Sequence, residues 1–245
     1  MTSDALMKAR LKAICVDELT KATESGVFDG VPARIAAFQA DPTWPHFGFD
    51  SPEFLQYQAV GNYYTAIFRK VGDLFEGVIQ EIVQSQLGIS REEQKHEFEI
   101  VVDGVTQHRS LDVAIELQKI KDRKVRTAVA KALETLTGDK SPDATVIELR
   151  GCYMIGDSKR INADEHAAKA ARSVGLSPVM LIFCSTSLTS PVKRLRKSWN
   201  LYEGAEAYDF IKRVTGFDLQ AFFEEISPDL KEVTNKLLGI FRDNG

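Results

Sequence analysis

An acidic and a basic side chain stand two residues apart at the end of an apolar run. Glu148 and Arg150 follow the β-branched residues 145–147, and Leu149 lies between them. Side chains alternate between the two faces of a strand, so Glu148 and Arg150 share one face while Leu149 points into the core. An exposed ion pair of this type contributes little to stability, about 0–1 kcal/mol. The alternative is half of a metal site, which requires a second carboxylate.

Three aspartates are candidates for that second carboxylate. Asp112 lies inside an apolar run, residues 110–115, that is typical of a strand. An ionised carboxylate is costly to bury unless it is paired or binds a metal, so Asp112 is the preferred candidate. Asp143 precedes Glu148 so closely that little room remains for a turn back to the metal, and Asp139 is a further possibility.

Other charged residues could complete such a site. Glu76 lies among apolar residues in a helical pattern that runs from Pro52 to Leu87, so it matters only if this helix packs beside the site. Lys159 and Arg160 follow a predicted turn at Gly156 and Asp157, at the start of another helix.

Hydrophobic periodicity predicts the elements that position these residues. A strand, an alanine-rich helix and a nearly continuous apolar strand follow one another from residue 145 to residue 184, which indicates a βαβ crossover. The predicted fold is α/β (α+β), with a mixed central sheet flanked by helices. Helices are predicted at 3–37 (two), 52–87, 119–136, 162–174, 208–214 and 219–241, and strands at 98–104, 110–115, 145–150 and 178–184.

Composition describes an ordinary globular protein. The 245 residues are 44% hydrophobic and 27% charged, and the net charge of −4 argues against nonspecific coating of nucleic acid. The three cysteines are far apart and show no CxxC spacing, which predicts buried thiols in a reducing compartment rather than a disulfide. The sequence has neither a signal-peptide pattern nor an apolar stretch of about 20 residues, so a cytoplasmic location without membrane contact is predicted.

A polar segment with clustered basic residues follows the apolar strand, over residues 185–200. Hydroxyl, amide and guanidinium groups in this position are the chemistry of phosphate and base-edge contacts in DNA complexes. The candidate DNA-binding residues are Ser187, Lys193, Arg194, Arg196, Lys197 and Asn200, with Arg160 from the preceding helix.

Several common chemistries lack their motifs. Four scattered histidines make a histidine-based zinc site unfavourable, and the GxxxxGK[ST], GxGxxG and GxSxG motifs are absent from the sequence.

The order of these residues resembles the PD-(D/E)xK nuclease superfamily, which has a helical glutamate, an aspartate on one strand, an acid-x-lysine on the next, then a helix and a strand. More specifically, four segments are similar to the ApaLI-like type II restriction endonucleases, and the resemblance covers about residues 98 to 219. It implies a restriction-endonuclease-like core at 52–220 with a recognition loop at 185–200, an N-terminal helical region or lobe at 1–51 and a C-terminal helix at 221–245. The similar segments are 156–165, 181–188, 190–195 and 199–204.

The resemblance also implies a chemistry. Asp112, Glu148 and the carbonyl of Leu149 would hold Mg²⁺, and a prokaryotic homodimer would cut a short palindrome in double-stranded DNA. Arg150 stands where the family has lysine, so either Arg150 or Lys159 would fill that role. Glu76 would be an outer carboxylate or a ligand of a second metal. Two alternatives stay open: a noncatalytic DNA-binding protein on the same scaffold, and a structure-specific repair nuclease.

Overall fold

A computed structural model describes residues 3–23, 31–102, 105–140, 142–154 and 158–244. These residues contain a mixed β-sheet and eight α-helices. The helices are α1 (Ser3–Thr23), α2 (Val31–Ala40), α3 (Pro52–Leu87), α4 (Arg123–Thr137), α5 (Ser158–Ser173), α6 (Thr189–Leu195), α7 (Ala205–Thr215) and α8 (Leu219–Asn244). The strands are β1 (Glu97–Val102), β2 (Val105–Ser110), β3 (Val113–Ile115), β4 (Thr145–Arg150), β5 (Ser177–Ile182) and β6 (Asn200–Glu203).

The central sheet has the strand order β3-β4-β5-β6. β3 runs antiparallel to β4, whereas β4, β5 and β6 run parallel to one another. Every residue of β5 is buried, as expected for a central parallel strand covered on both faces. The predicted βαβ crossover and the mixed sheet flanked by helices are therefore confirmed at this level.

Small side chains let α5 lie close to the sheet. Ala168 packs with Met180 and Ile182, and Ala171 packs with Val146. Trp199 joins the first of these clusters and is 3% exposed. Close packing of this kind fixes the helix against β4 and β5, and with it the polar residues that α5 carries.

The predicted strand at residues 110–115 is wrong in its boundaries. Glu97–Val102 pairs with Val105–Ser110 in a separate two-stranded sheet. β2 ends at Ser110, and β3 in the central sheet begins only at Val113. Asp112 therefore lies between two strands rather than inside one. The predicted Asp103–Gly104 turn of this hairpin lies outside the described residues, as does the Gly156–Asp157 turn.

The segment after β5 is more regular than predicted. Residues 185–200 contain α6, and Asn200 begins β6, a strand that the sequence analysis missed. β6 is only four residues long. A strand this short has too few residues to show the alternation by which strands are recognised.

The prediction of free thiols is wrong for two of the three cysteines. Cys152 and Cys184 form a disulfide with a Cα–Cα distance of 5.2 Å, whereas Cys15 is free and buried. The strand register explains the pairing, since Arg150 lies opposite Ile182 in the parallel β4–β5 ladder and each cysteine follows two residues later. The cysteines thus no longer support the predicted reducing compartment.

The chain divides into two compact units. The first unit is Met1–Leu11 with Phe75–Glu225 and contains the central sheet; the second is Lys12–Leu74 with Ile226–Gly245. In the second unit, Trp44 stacks on Phe38, and Phe49 stacks on Phe54 with ring centroids 4.4 Å apart. Of the described helices, none combines the length and the apolar character that crossing a membrane requires.

The disulfide predicts the thiol content of the protein. A sample unfolded in guanidinium chloride without reductant should show one reactive thiol, from Cys15, and the reduced sample should show all three. A thiol-reactive chromophore measures both values. Three thiols in the unreduced protein, purified in the presence of air, would contradict the pairing. The Cys152→Ser/Cys184→Ser variant is the matched control, because its thiol count is independent of reductant.

Candidate functional site

Strand pairing brings two carboxylates together at one edge of the sheet. Val113 is paired with Ile147, so the antiparallel register places Asp112 beside Glu148. The backbone N–H of Leu149 donates to Oδ2 of Asp112 at 2.7 Å. Asp112 therefore accepts a hydrogen bond from the residue between Glu148 and Arg150, which holds the three charged groups in one cluster.

Glu148 and Arg150 share one face of β4, as the alternation of a strand predicts, and form an ion pair through Oε1 and Nη2. The side chain of Glu148 is 13% exposed and that of Arg150 is 19% exposed, so they do not form an exposed surface ion pair. Nη1 of Arg150 also donates to the carbonyl oxygen of Leu149 at 3.0 Å. The side chain of Leu149 points away into the core and is 4% exposed.

A third carboxylate, Asp164 on α5, lies next to this pair. Its Oδ1 is 3.9 Å from Nη2 of Arg150 and 3.4 Å from Nε of Arg160. The buried hydroxyl of Tyr153 donates to Oδ2 of Asp164 at 2.8 Å. The indole N–H of Trp199 donates to the backbone carbonyl of Asp164 at 3.0 Å. These bonds fix Asp164, which is 7% exposed.

Burial raises the pKa values of Glu148 and Asp112. Loss of solvent raises the pKa of Glu148 to about 7, against the opposing attraction of Arg150, and the charges of Asp112 and Asp164 add to the increase. Burial also raises the pKa of Asp112, although the Leu149 N–H and the two arginines counteract it. Burial disfavours the charge on Arg150, but the surrounding carboxylates outweigh it and raise its pKa. The same burial, together with the bond to Asp164, raises the pKa of Tyr153.

The donor atoms of this cluster suit a hard divalent cation. Across the described residues, no three His, Cys, Asp or Glu side chains are arranged as a metal site. The predicted ligand set instead combines the carboxylates of Asp112 and Glu148 with the carbonyl of Leu149, all of them oxygen donors of the type that Mg²⁺ prefers. The guanidinium of Arg150 already contacts Glu148 and Leu149, so a positive charge is accepted at these oxygens.

Glu76 is connected to the cluster through one side chain. Gln80 on α3 donates to Oε1 of Glu76 at 3.0 Å and to the backbone carbonyl of Asp112 at 3.2 Å. Glu76 thus lies one hydrogen-bonded residue away from Asp112. Lys159 is exposed in the first turn of α5, one residue before Arg160.

The other two candidate aspartates lie at the opposite end of the parallel strands. Asp139 accepts hydrogen bonds from Ser177, the first residue of β5, and from Arg172. The backbone N–H of Asp143 donates to the carbonyl of Gly175 at 3.2 Å, just before β4 begins. Of the three aspartates considered, Asp112 is the one that the structure places beside Glu148.

The predicted DNA-contacting arginines already have partners. Arg194 makes a bidentate contact with Glu165, with both N–O distances 2.8 Å, and also contacts Asn162. Arg196 donates to the carbonyl of Leu201 at 2.9 Å and lies 3.7 Å from Glu203. Lys193 and Lys197 are exposed. Both arginines thus connect this segment to neighbouring elements, although their side chains stay 42% and 44% exposed.

Ser187 and Asn200 occupy different ends of the sheet. The hydroxyl of Ser187 accepts from the backbone N–H of Tyr153 at 3.1 Å, which joins the segment after β5 to the segment after β4. Asn200 donates to Asp139 at 3.3 Å at the amino end of the parallel strands. Asn200 is therefore not brought together with the carboxylate cluster.

Sequence reasoning missed Asp164 and Tyr153 as members of the cluster. Asp164 lies four residues after Arg160, the helical spacing at which an acid and a base meet, and this spacing was the available signal. Tyr153 gave no comparable signal because its contact depends on the path of the chain after β4.

Comparison with known proteins gives no match to a family model, to a curated protein or to a solved structure. The assignment of function therefore depends on the cluster itself and on the resemblance of the sequence segments.

The raised pKa of Glu148 predicts how stability depends on pH. Between pH 4.5, the ordinary pKa of a glutamate, and about pH 7, Glu148 stays protonated in the native state and loses its proton in the unfolded chain. The free energy of unfolding should therefore fall as pH rises through this range and level off above it. Between pH 5 and 8, wild type should lose roughly 1–3 kcal/mol more than Glu148→Gln, measured by urea unfolding at each pH. Parallel curves for the two proteins would contradict the shift.

The buried bond from Tyr153 predicts a specific loss of stability. Tyr153→Phe leaves an oxygen of buried Asp164 without its donor, which should lower the free energy of unfolding by about 1–3 kcal/mol. Denaturant unfolding measures the change. Tyr57→Phe is the matched control, because Tyr57 is 76% exposed and its change should stay within about 0.5 kcal/mol. Equal effects of the two substitutions would argue against the bond.

Proposed function

We propose that this protein is a type II site-specific deoxyribonuclease that hydrolyses phosphodiester bonds of double-stranded DNA with Mg²⁺ and leaves 5′-phosphates. The observation that carries the proposal is the meeting of the Asp112 and Glu148 carboxylates across the β3–β4 pair, with the Leu149 backbone between them. Carboxyl groups that meet in a largely buried position, with raised pKa values, are more typical of functional sites than of surface ion pairs.

The roles of the acids follow from their positions. Asp112, Glu148 and the Leu149 carbonyl would hold Mg²⁺. When bound, the ion supplies an activated water and neutralises charge on the phosphate. Asp112 keeps its orientation because its own carboxylate and its backbone carbonyl are both hydrogen-bonded, to Leu149 and to Gln80. Glu76 holds Gln80 and so acts as a positioning residue.

Arg150 contributes charge rather than proton transfer. A guanidinium is too basic to act as a general base, so Arg150 stabilises negative charge near the phosphate. Lys159, exposed at the start of α5, is the candidate ammonium for the lysine role of the family pattern. Asp164 forms ion pairs with both Arg150 and Arg160 and so positions them.

The DNA-binding face is proposed on α6 and the segment around it. Lys193 and Lys197 are exposed on the stretch that follows β5. Lysines in this position neutralise phosphates and make binding salt-dependent. Arg194 and Arg196 would read bases only after exchanging their present carboxylate and carbonyl partners. A palindromic site would be matched by a homodimer.

A noncatalytic DNA-binding protein on the same scaffold is the second candidate. The observation that favours it is the guanidinium of Arg150 on Glu148 and Leu149, since a fixed cation there leaves no need for a metal. This candidate predicts DNA binding that is unaffected by chelation.

Cleavage of duplex DNA tests the proposal. Purified protein should convert unmethylated phage DNA to discrete fragments with Mg²⁺ and leave it intact with EDTA, and end-sequencing should give one recurrent site. Glu148→Gln should lower the cleavage rate by about 10²-fold or more, because a ligand of the ion is lost. Glu92→Gln, which changes an exposed glutamate away from the cluster, is the matched control and should cleave as wild type does.

The outcomes separate the two candidates. Gel retardation without cleavage on several DNAs, unchanged by EDTA, would reject the nuclease and support the noncatalytic candidate. Cleavage only at branched or damaged DNA would instead indicate a structure-specific repair nuclease.

A further inference from the structure

Two of the three proposed metal ligands already face a cation that belongs to the chain. Arg150 forms an ion pair with Oε1 of Glu148 through Nη2, and its Nη1 donates to the carbonyl of Leu149 at 3.0 Å. The guanidinium therefore lies against the same two oxygen donors that a divalent ion would use. Asp112 completes this set from the residue just before β3.

A guanidinium and a divalent ion repel each other at this position. The pair is largely removed from water, with side-chain exposures of 19% for Arg150 and 13% for Glu148, so solvent screens the repulsion poorly. A metal ion that takes the Glu148 and Leu149 oxygens must therefore displace the guanidinium from them.

A displaced guanidinium has a second carboxylate within reach. Oδ1 of Asp164 is 3.9 Å from Nη2 of Arg150, and Asp164 is fixed from its other side by Tyr153. A buried arginine without an acidic partner is strongly unfavourable, and Asp164 supplies that partner. The cluster holds three carboxyl groups, of Asp112, Glu148 and Asp164, around the two guanidinium groups of Arg150 and Arg160.

We propose that Arg150 is an internal cation that competes with a divalent metal ion for Glu148 and the Leu149 carbonyl, and that Asp164 retains Arg150 when the metal enters. The inference rests on the proposed function, because it concerns the metal site of that nuclease. It assigns Arg150 a control over metal affinity, and it makes Asp164 a positioning residue.

Metal binding without DNA tests the competition directly. Mn²⁺ is titrated into the full-length protein, and the free ion is read by its electron paramagnetic resonance signal. Arg150→Met removes the internal cation and keeps an unbranched side chain, so Mn²⁺ should bind at least tenfold more tightly than in wild type. Arg213→Met instead removes an arginine that pairs with Asp209 on α7, and it should bind Mn²⁺ as wild type does.

Two further variants keep the test decisive. Arg150→Gln is neutral but retains hydrogen-bonding groups, so it replaces Arg150→Met if thermal unfolding shows that the latter is not folded. Arg150→Lys keeps the positive charge and should stay within threefold of wild type. Adding Glu148→Gln to the tighter-binding variant should abolish its gain, because the shared oxygen donor is lost.

The outcomes distinguish this inference from the proposed function. Equal Mn²⁺ affinity in wild type and in the neutral variants, lost in Glu148→Gln, would overturn the competition while leaving the metal site in place. Binding in none of these proteins would overturn the competition, and the absence of Mg²⁺-dependent cleavage as well would overturn the metal-dependent nuclease. Mg²⁺-dependent cleavage by wild type, measured separately, would confirm the nuclease even if the competition failed.

Discussion

The arrangement of charges at the end of β4 depends on one backbone hydrogen bond, from the N–H of Leu149 to the carboxylate of Asp112. This bond lies just before β3 begins, beyond the Val113–Ile147 pair. A backbone N–H group thus orients the part-buried carboxylate of Asp112. Because β4 alternates, the same strand then presents Glu148 and Arg150 to that acid and buries Leu149. A one-residue change of register would turn Glu148 and Arg150 into the core and break the cluster.

Burial explains why a pair that is ordinary on a surface has different properties here. In water the attraction between Glu148 and Arg150 is small, whereas in the part-buried site each charge depends on its partners. Asp164 and Arg160 extend the pair into a network with more acids than bases. Such a network places several carboxylate oxygens at one site, which is the property that links the fold to the proposed chemistry.

Local pattern predicted much of the fold and only part of the site. The helix at Pro52–Leu87 and the buried strand β5 have strong periodicity or long apolar runs, and both lie where the sequence placed them. The face shared by Glu148 and Arg150 followed from alternation alone. Strand register and helix packing determine three features that were not predicted. These are the strand boundary at Asp112, the short strand β6 and the contact of Asp164 with Arg150. They depend on contacts between residues far apart in sequence, which the local pattern does not specify.

The pairing of Cys152 with Cys184 was not predicted, because residues far apart in the sequence can lie side by side on adjacent strands. Cys152 and Cys184 are 32 residues apart in sequence, but each follows a strand whose partner is adjacent. Their bond closes residues 152–184 into a covalent ring that contains α5, β5 and Asp164. A single proteolytic cut inside this ring would leave one molecule of unchanged mass apart from the added water. The two fragments would separate only after reduction.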